Sequence, residues 1–164
     1  MKKIKFNIIL SILLFTNFLS ILSAEEKNYK IIKLVNDQVI TNYDLEQRLK
    51  LFSVLNDITV NQENIEEYAE QMLYLMVNEK LQLEQINSYK IFINESEIDD
   101  YINRYYLNED NDMSNLLITL KNKNIDIKVL KETIKIRLGW YNLSSRLYYK
   151  DSEINKIELE NTMN

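Results

Sequence analysis

A short strand-like pattern of hydrophobic residues begins near residue 29. The run 29–35 (Tyr-Lys-Ile-Ile-Lys-Leu-Val) is rich in β-branched and aromatic residues, and the run 38–40 (Gln-Val-Ile) repeats the pattern. Asn36 and Asp37 stand between the two runs, and both residue types tolerate the positive φ that a tight turn requires. The pattern therefore predicts a small β-hairpin over residues 29–40.

From residue 41 onward the apolar residues recur at the spacing of amphipathic helices. Thr41 and Asp44 form a capping-box pattern that predicts a helix to about Leu55. The apolar stripe of this first helix consists of Tyr43, Leu45, Leu49 and Phe52. The longest periodic segment covers residues 61–88 and is apolar on two faces, which is typical of a central, buried helix.

Polar capping residues mark the later helices. Asn94 with Glu97 resembles a second capping box, Ser114 predicts the start of a short helix, and Asp126 predicts the start of a long one. Ser152 predicts a last short helix near the end of the chain. We therefore expect an all-α fold, a bundle of about five to six helices with a small N-terminal β-hairpin, forming one domain over residues 25–164.

The first 24 residues have the pattern of a secretory signal peptide. Three lysines precede an apolar run over residues 6–22, and the run ends in Leu-Ser-Ala before two glutamates. This pattern predicts export and cleavage after Ala24, while an uncleaved membrane anchor is the alternative. Without residues 1–24 the net charge falls from −5 to −8, because three of the 20 basic residues are removed and all 25 acidic residues stay. A surface of that charge disfavours nucleic acid as a partner.

The composition excludes several familiar kinds of site. The chain has no His, no Cys and no Pro, and Gly139 is its only glycine. Disulfides, Cys/His zinc sites, catalytic triads with a His base and glycine-rich phosphate loops are all excluded. We therefore expect neither a cofactor, nor a metal, nor an enzymatic activity.

Aromatic and methionine side chains are the remaining candidates for function. The chain has 11 Tyr, five Phe, five Met and one Trp. Such side chains make adaptable apolar walls that suit a groove for extended peptides, although each of them alone fits a core position as well. The predicted peptide-binding residues are Tyr68, Met72, Met76, Tyr105, Trp140 and Leu143.

An ordered series of segments carries a family resemblance. The segments are 34–41 (LVNDQVIT), Asp44-Leu45, 77–83 (VNEKLQL), 93–99 (INESEID), Met113-Ser114 and the helix from Asp126. In this order they resemble the N-terminal domain of the SurA family of periplasmic chaperones. Lys90 and Asn124 stand where the family has glycine. We expect a left-handed Asn124, which is a mild change, and a strained or altered helix end at Lys90.

The resemblance implies a function without catalysis. The family binds unfolded outer-membrane proteins in the periplasm, so the resemblance implies an ATP-independent periplasmic holdase. We expect its partners to be extended segments of those proteins. Family members normally carry parvulin-type isomerase domains with paired histidines, which a chain without His and Cys cannot supply. A membrane-anchored or periplasmic interaction module is the alternative, and isomerase activity is the least favoured reading. The hairpin edges would be unpaired, which raises two hypotheses: the last residues of the chain fill the gap, or two chains exchange elements and form a homodimer through the hairpin.

Overall fold

The structure is a computed structural model and describes residues 29–107 and 112–162. Over these residues the chain is mostly helical, with a two-stranded antiparallel hairpin at its start. The elements are β1 (Ile31–Val35), β2 (Gln38–Thr41), α1 (Asn42–Asn56), α2 (Ile65–Ser88), α3 (Glu95–Tyr105), α4 (Met113–Asn122) and α5 (Ile127–Thr162). The prediction of a helical fold with an N-terminal hairpin is confirmed. The predicted signal peptide and its cleavage site after Ala24 lie outside the described residues.

The hairpin forms where the sequence predicts it and buries only one of its faces. Asn36 has a φ of 51° in the turn, and the register pairs Leu34 with Val39. Val35 and Ile40 point the other way and are buried against Met76 of α2. Since side chains alternate between the faces of a strand, the face that carries Leu34 and Val39 is left towards solvent.

Side-chain caps start the helices, with one change from the expected residues. The side-chain oxygen of Thr41 accepts a hydrogen bond from the Asp44 N–H at 3.2 Å. The Asp44 carboxylate accepts one from the Thr41 N–H, and the two bonds together confirm the capping box. Asn94 caps α3 as predicted. Ser114 was expected to cap α4, but that prediction is wrong. Asp112 holds the extended cap conformation, and its carboxylate accepts from the Asn115 N–H at 2.8 Å.

The long helix α5 is continuous to Thr162, so the prediction of a separate last helix from Ser152 is wrong. Asp126 precedes the helix, and its carboxylate accepts from the Lys128 N–H at 2.9 Å. No proline interrupts the stretch, and its one glycine, Gly139, does not break it. A polar Ser-Glu pair alone therefore does not end a helix that nothing else interrupts.

Three helices end in a left-handed residue that is not glycine. The φ angles are 52° at Asp57, 54° at Lys90 and 53° at Asn124. After each of them, the next N–H donates to a carbonyl five residues back in the Schellman pattern: Ile58 to Ser53, Ile91 to Ile86 and Ile125 to Leu120. The left-handed conformation predicted for Asn124 is confirmed, and Lys90 adopts it despite its side chain.

The main core joins α1, α3, α4 and the first half of α5. Its buried residues are Leu51, Ile93, Ile98, Ile102, Leu116, Leu120, Ile125, Leu130 and Ile134. Gln47 is the one buried polar side chain among the described residues. Its amide donates to the Asn124 carbonyl and accepts from the Asp126 N–H, both at 2.9 Å. Gln47 thus ties α1 to the turn between α4 and α5.

Candidate functional site

Three of the six predicted peptide-binding residues lie in the interior. Met72, Met76 and Leu143 are 4%, 7% and 1% exposed. Met76 packs in the small cluster under the hairpin with Val35 and Ile40. In this conformation the three side chains cannot contact a ligand, and their place in the predicted binding surface is corrected accordingly. The spacing of Met72 and Met76 fits one buried helix face as well as it fits a groove. Here the hairpin residues Val35 and Ile40 cover Met76, and Met72 is buried as well.

The other three predicted residues are accessible but lie on three different helices. Tyr68 on α2 is half-buried, and its ring centroid lies 5.2 Å from that of Phe52 on α1. Tyr105 at the end of α3 packs on Tyr101 with centroids 4.4 Å apart. Trp140 lies on α5 with a partly exposed ring. The structure therefore does not assemble the six residues into one wall.

An apolar cleft with a volume of about 540 Å³ lies between α1, the start of α2 and the hairpin. We call it the α1–α2 cleft. Its apolar lining consists of Ile32, Leu45, Leu49, Val54, Val60, Ile65 and Ala69. The volume falls within the range of ligand pockets in proteins, about 300–1,000 Å³. Nothing in the sequence analysis assigned this set of residues to a site.

The cleft exists because α1 has two apolar faces and the core covers only one of them. Leu51 is buried in the main core, whereas Leu45 and Leu49 are half-buried and line the cleft. Ala69 lies across from them on α2, where a larger side chain would fill the space. The stripe of Leu45 and Leu49 is visible in the sequence, but its spacing is that of an ordinary core stripe.

Charged groups stand at the rim of the α1–α2 cleft. Lys50 forms an ion pair with Glu46 one turn away on α1, and Lys123 lies at the end of α4. An exposed ion pair of this kind contributes little to stability, so both side chains can rearrange around a ligand. The lining combines apolar and charged side chains. This combination suits a ligand that buries hydrophobic side chains in the cleft and keeps its backbone hydrated.

The outer face of the hairpin extends the apolar surface beyond the cleft. Ile31, Leu34 and Val39 are 67%, 63% and 43% exposed, and Ile32 is also exposed. Ile32 lines the α1–α2 cleft as well, so the cleft and the hairpin face are continuous. Contiguous exposed apolar surface is uncommon on a soluble protein that has no partner.

A partly buried ion pair joins α1 and α2 and contacts α5, on the side of α1 away from the cleft. The Arg48 guanidinium contacts the Glu79 carboxylate and also donates to the Thr133 hydroxyl. Burial raises the pKa of the Glu79 carboxyl, while the charges of Arg48 and Arg137 oppose the rise. A small cavity of about 90 Å³ lies beside the pair. The arrangement joins three helices.

The described residues contain neither a group of metal ligands nor a membrane-spanning helix. Among residues 29–107 and 112–162, no three acidic side chains are grouped so that they could hold a metal ion. In the same part of the chain, no helix combines the length and the apolar character needed to cross a membrane.

Comparison with known proteins returns no relative. No protein-family model, no curated protein and no solved structure matches the chain. The similarity to the SurA N-terminal domain thus stays a prediction that rests on the ordered sequence segments given above.

Proposed function

We propose that this protein is an ATP-independent periplasmic holdase that binds extended apolar segments of unfolded outer-membrane proteins. The observation that carries the proposal is the α1–α2 cleft together with the exposed outer face of the hairpin. The two form one apolar surface, joined at Ile32. The resemblance to the SurA family supports the same function independently of this geometry.

The cleft and the hairpin face differ in shape, and the difference suits an extended client. In an extended chain every second side chain points the same way, at a spacing of about 6–7 Å. One or two apolar side chains of the client would enter the cleft, and the next would lie on the face of Leu34 and Val39. Strands of outer-membrane barrels alternate apolar and polar residues in this manner. The surface therefore matches the chemistry of such clients before they fold.

Binding by this surface would be weak and reversible, as a holdase requires. Seven of the twelve lining residues are apolar, and Lys50 and Glu46 pair with each other, so few hydrogen bonds would fix the position of a bound segment. Aliphatic walls of this kind accept many sequences at low specificity. The net charge of −8 predicted for residues 25–164 would keep the complex soluble through mutual repulsion.

The direct test is light scattering by an unfolded porin diluted from urea. The protein is recovered from the periplasm of a producing bacterium, and its intact mass shows whether residues 1–24 have been removed after Ala24. We expect equimolar protein to suppress the aggregation of the porin. Ala69→Trp should fill the α1–α2 cleft and remove most of the suppression, because the indole occupies the space of the client side chains.

Gln71→Trp is the matched control for Ala69→Trp. Gln71 is exposed on the same helix and does not line the cleft, so the same side chain is added without filling it. This variant should suppress aggregation as the wild type does. If the folded wild type leaves porin aggregation unchanged, the holdase proposal is wrong. The alternative, an interaction module that is anchored or periplasmic, would then be the better hypothesis.

A further inference from the structure

Phe92 is the most exposed large hydrophobic residue among residues 29–107 and 112–149. Its side chain is 81% exposed. The backbone around it is nonetheless held firmly. Ile91 donates its N–H to the Ile86 carbonyl at 3.0 Å, and Ile93 is buried in the main core. The ring is therefore presented to solvent by an anchored segment between α2 and α3.

A second cleft lies directly beside this ring, and we call it the Phe92 cleft. Its volume is about 390 Å³, and it opens between α2, α5 and the segment that carries Phe92. Leu83 and Ile86 of α2 and Ile136 of α5 contribute apolar walls. Phe92 forms part of the edge and stays largely in solvent. The surface thus has an apolar projection and an apolar hollow next to each other.

We propose that the Phe92 cleft binds a second copy of this chain, with the Phe92 ring of each copy inserted into the cleft of the other. A projection beside a hollow becomes self-complementary when a twofold axis passes between them. Each copy then supplies one ring and one cleft, and both rings are removed from water. This interface is separate from the α1–α2 cleft, so the inference does not depend on the proposed function.

The charges at the rim of the Phe92 cleft favour the same occupant. Lys80 and Lys135 line the cleft together with Glu132. A rim that carries both signs can meet its own copy, since Glu132 of one chain is then available to the lysines of the other. Because the chain as a whole is negative, a twofold pair needs such local complementarity to offset the general repulsion.

Sedimentation velocity of the exported protein tests the inference. We expect the weight-average sedimentation coefficient of the wild type to rise from the monomer value towards the dimer value between low and high micromolar concentrations. Phe92→Asp should raise the dissociation constant at least about tenfold, because a charge would have to enter the apolar cleft. Leu83→Trp, which fills the cleft and leaves Phe92 intact, should have the same effect.

Mixing the two variants gives a sharper result. Phe92→Asp keeps a usable cleft and Leu83→Trp keeps a usable ring, so the mixture can form one of the two contacts. We expect the mixture to associate more strongly than either variant alone. Tyr141→Ala removes another highly exposed aromatic residue, on α5 and 69% exposed, and should leave the dissociation constant unchanged.

Three results would overturn the inference. The first is a wild type that stays monomeric at high micromolar concentrations. The second is a Phe92→Asp variant with wild-type circular dichroism that still associates as the wild type does. The third is loss of association in Val39→Lys with no loss in Phe92→Asp, which would place the dimer interface on the hairpin instead.

Discussion

Gly139 of α5 lies against Ile86 of α2 so closely that a Cβ at Gly139 would stand 3.0 Å from Ile86 Cδ1. The only glycine of the chain is therefore placed where two long helices approach each other. Its backbone conformation is ordinary for a helix, so the absence of a side chain is what the position requires. Gly139→Ala should destabilise the protein by about 1 kcal/mol, since overlap with Ile86 outweighs the gain in helix propensity. Urea unfolding measures the change.

A double-mutant cycle separates the overlap from other effects of Gly139→Ala. In the Ile86→Ala background the clashing atoms are gone, and the same change should stabilise the protein by about 1 kcal/mol through helix propensity. Equal effects of Gly139→Ala in both backgrounds would show that close packing is not the reason for this glycine.

The left-handed backbone conformation of Lys90 costs conformational free energy that a glycine at this position would not lose. Its φ of 54° places a side chain in the left-handed region, and the Schellman hydrogen bonds after α2 hold it there. Lys90→Gly should raise the free energy of unfolding by about 1 kcal/mol. Lys90→Ala keeps a Cβ in the same conformation and should give no comparable gain. Asn124→Gly should give a smaller gain, because Asn tolerates this conformation better than Lys does. Thermal and urea unfolding of the three variants would check the order.

The local elements could be predicted from the sequence because their signals are local. The capping box of Thr41 and Asp44 and the Asn36 turn act over a few residues, and both form as expected. The left-handed Asn124 belongs to the same class. A local capping signal failed to predict the start of a helix where a nearby residue could cap the helix instead. Ser114 is a good capping residue, but Asp112 lies two residues earlier and takes the position.

The candidate site could not be predicted in the same way, because it depends on which apolar stripe is covered. Met72 and Met76 resemble an adaptable binding surface, yet both are buried, and Met76 lies under the hairpin. Leu45 and Leu49 have the spacing of a core stripe, yet they line an open cleft. Only the packing of distant elements decides between these outcomes, and the period of a helix carries no information about it.

The ion pair between Arg48 and Glu79 makes the free energy of unfolding depend on pH, because the Glu79 carboxyl titrates. Burial raises the folded-state pKa of its carboxyl, so the folded protein holds this proton at higher pH than the unfolded chain does. The stability linked to the protonated form is therefore complete below the unfolded pKa and is lost as the pH rises through the folded pKa. Glu79→Gln cannot titrate. We expect wild type to lose stability relative to Glu79→Gln as the pH rises from below the ordinary carboxyl pKa of 4.5 to above the raised pKa of folded Glu79.

Urea unfolding of both proteins at several pH values measures that difference, and a difference that moves the other way would contradict the role given to burial. Arg48→Met is the companion variant. It leaves the Glu79 charge without its main partner and should destabilise the protein by about 1–3 kcal/mol at neutral pH, less than a fully buried pair would, because a fifth of the Glu79 side chain is exposed. That cost should shrink at acidic pH, where Glu79 becomes neutral.

Gln47 should be among the most sensitive polar positions of the protein. Its side chain satisfies the Asn124 carbonyl and the Asp126 N–H at the turn before α5. Gln47→Leu removes both bonds and leaves two backbone groups without these partners, at a cost of about 2–4 kcal/mol. Gln85→Leu changes an exposed glutamine on α2 and should alter stability by less than about 0.5 kcal/mol. A small effect at Gln47 in urea unfolding would show that the turn relaxes to find other partners.

The outer hairpin face should contribute to client binding without contributing to stability. Val39 and Leu117 are both 43% exposed, but Val39 lies on the hairpin face and Leu117 lies on α4. Val39→Lys places a charge where an apolar client segment would lie, so it should weaken the suppression of porin aggregation several-fold. Leu117→Lys adds the same charge at the same exposure away from that face and should act as the wild type does. Both variants should unfold within about 0.5 kcal/mol of the wild type, because neither side chain is in the core. Equal loss of suppression in the two variants would mean that net charge controls client holding. Loss in Val39→Lys alone would mean that the hairpin face holds the client.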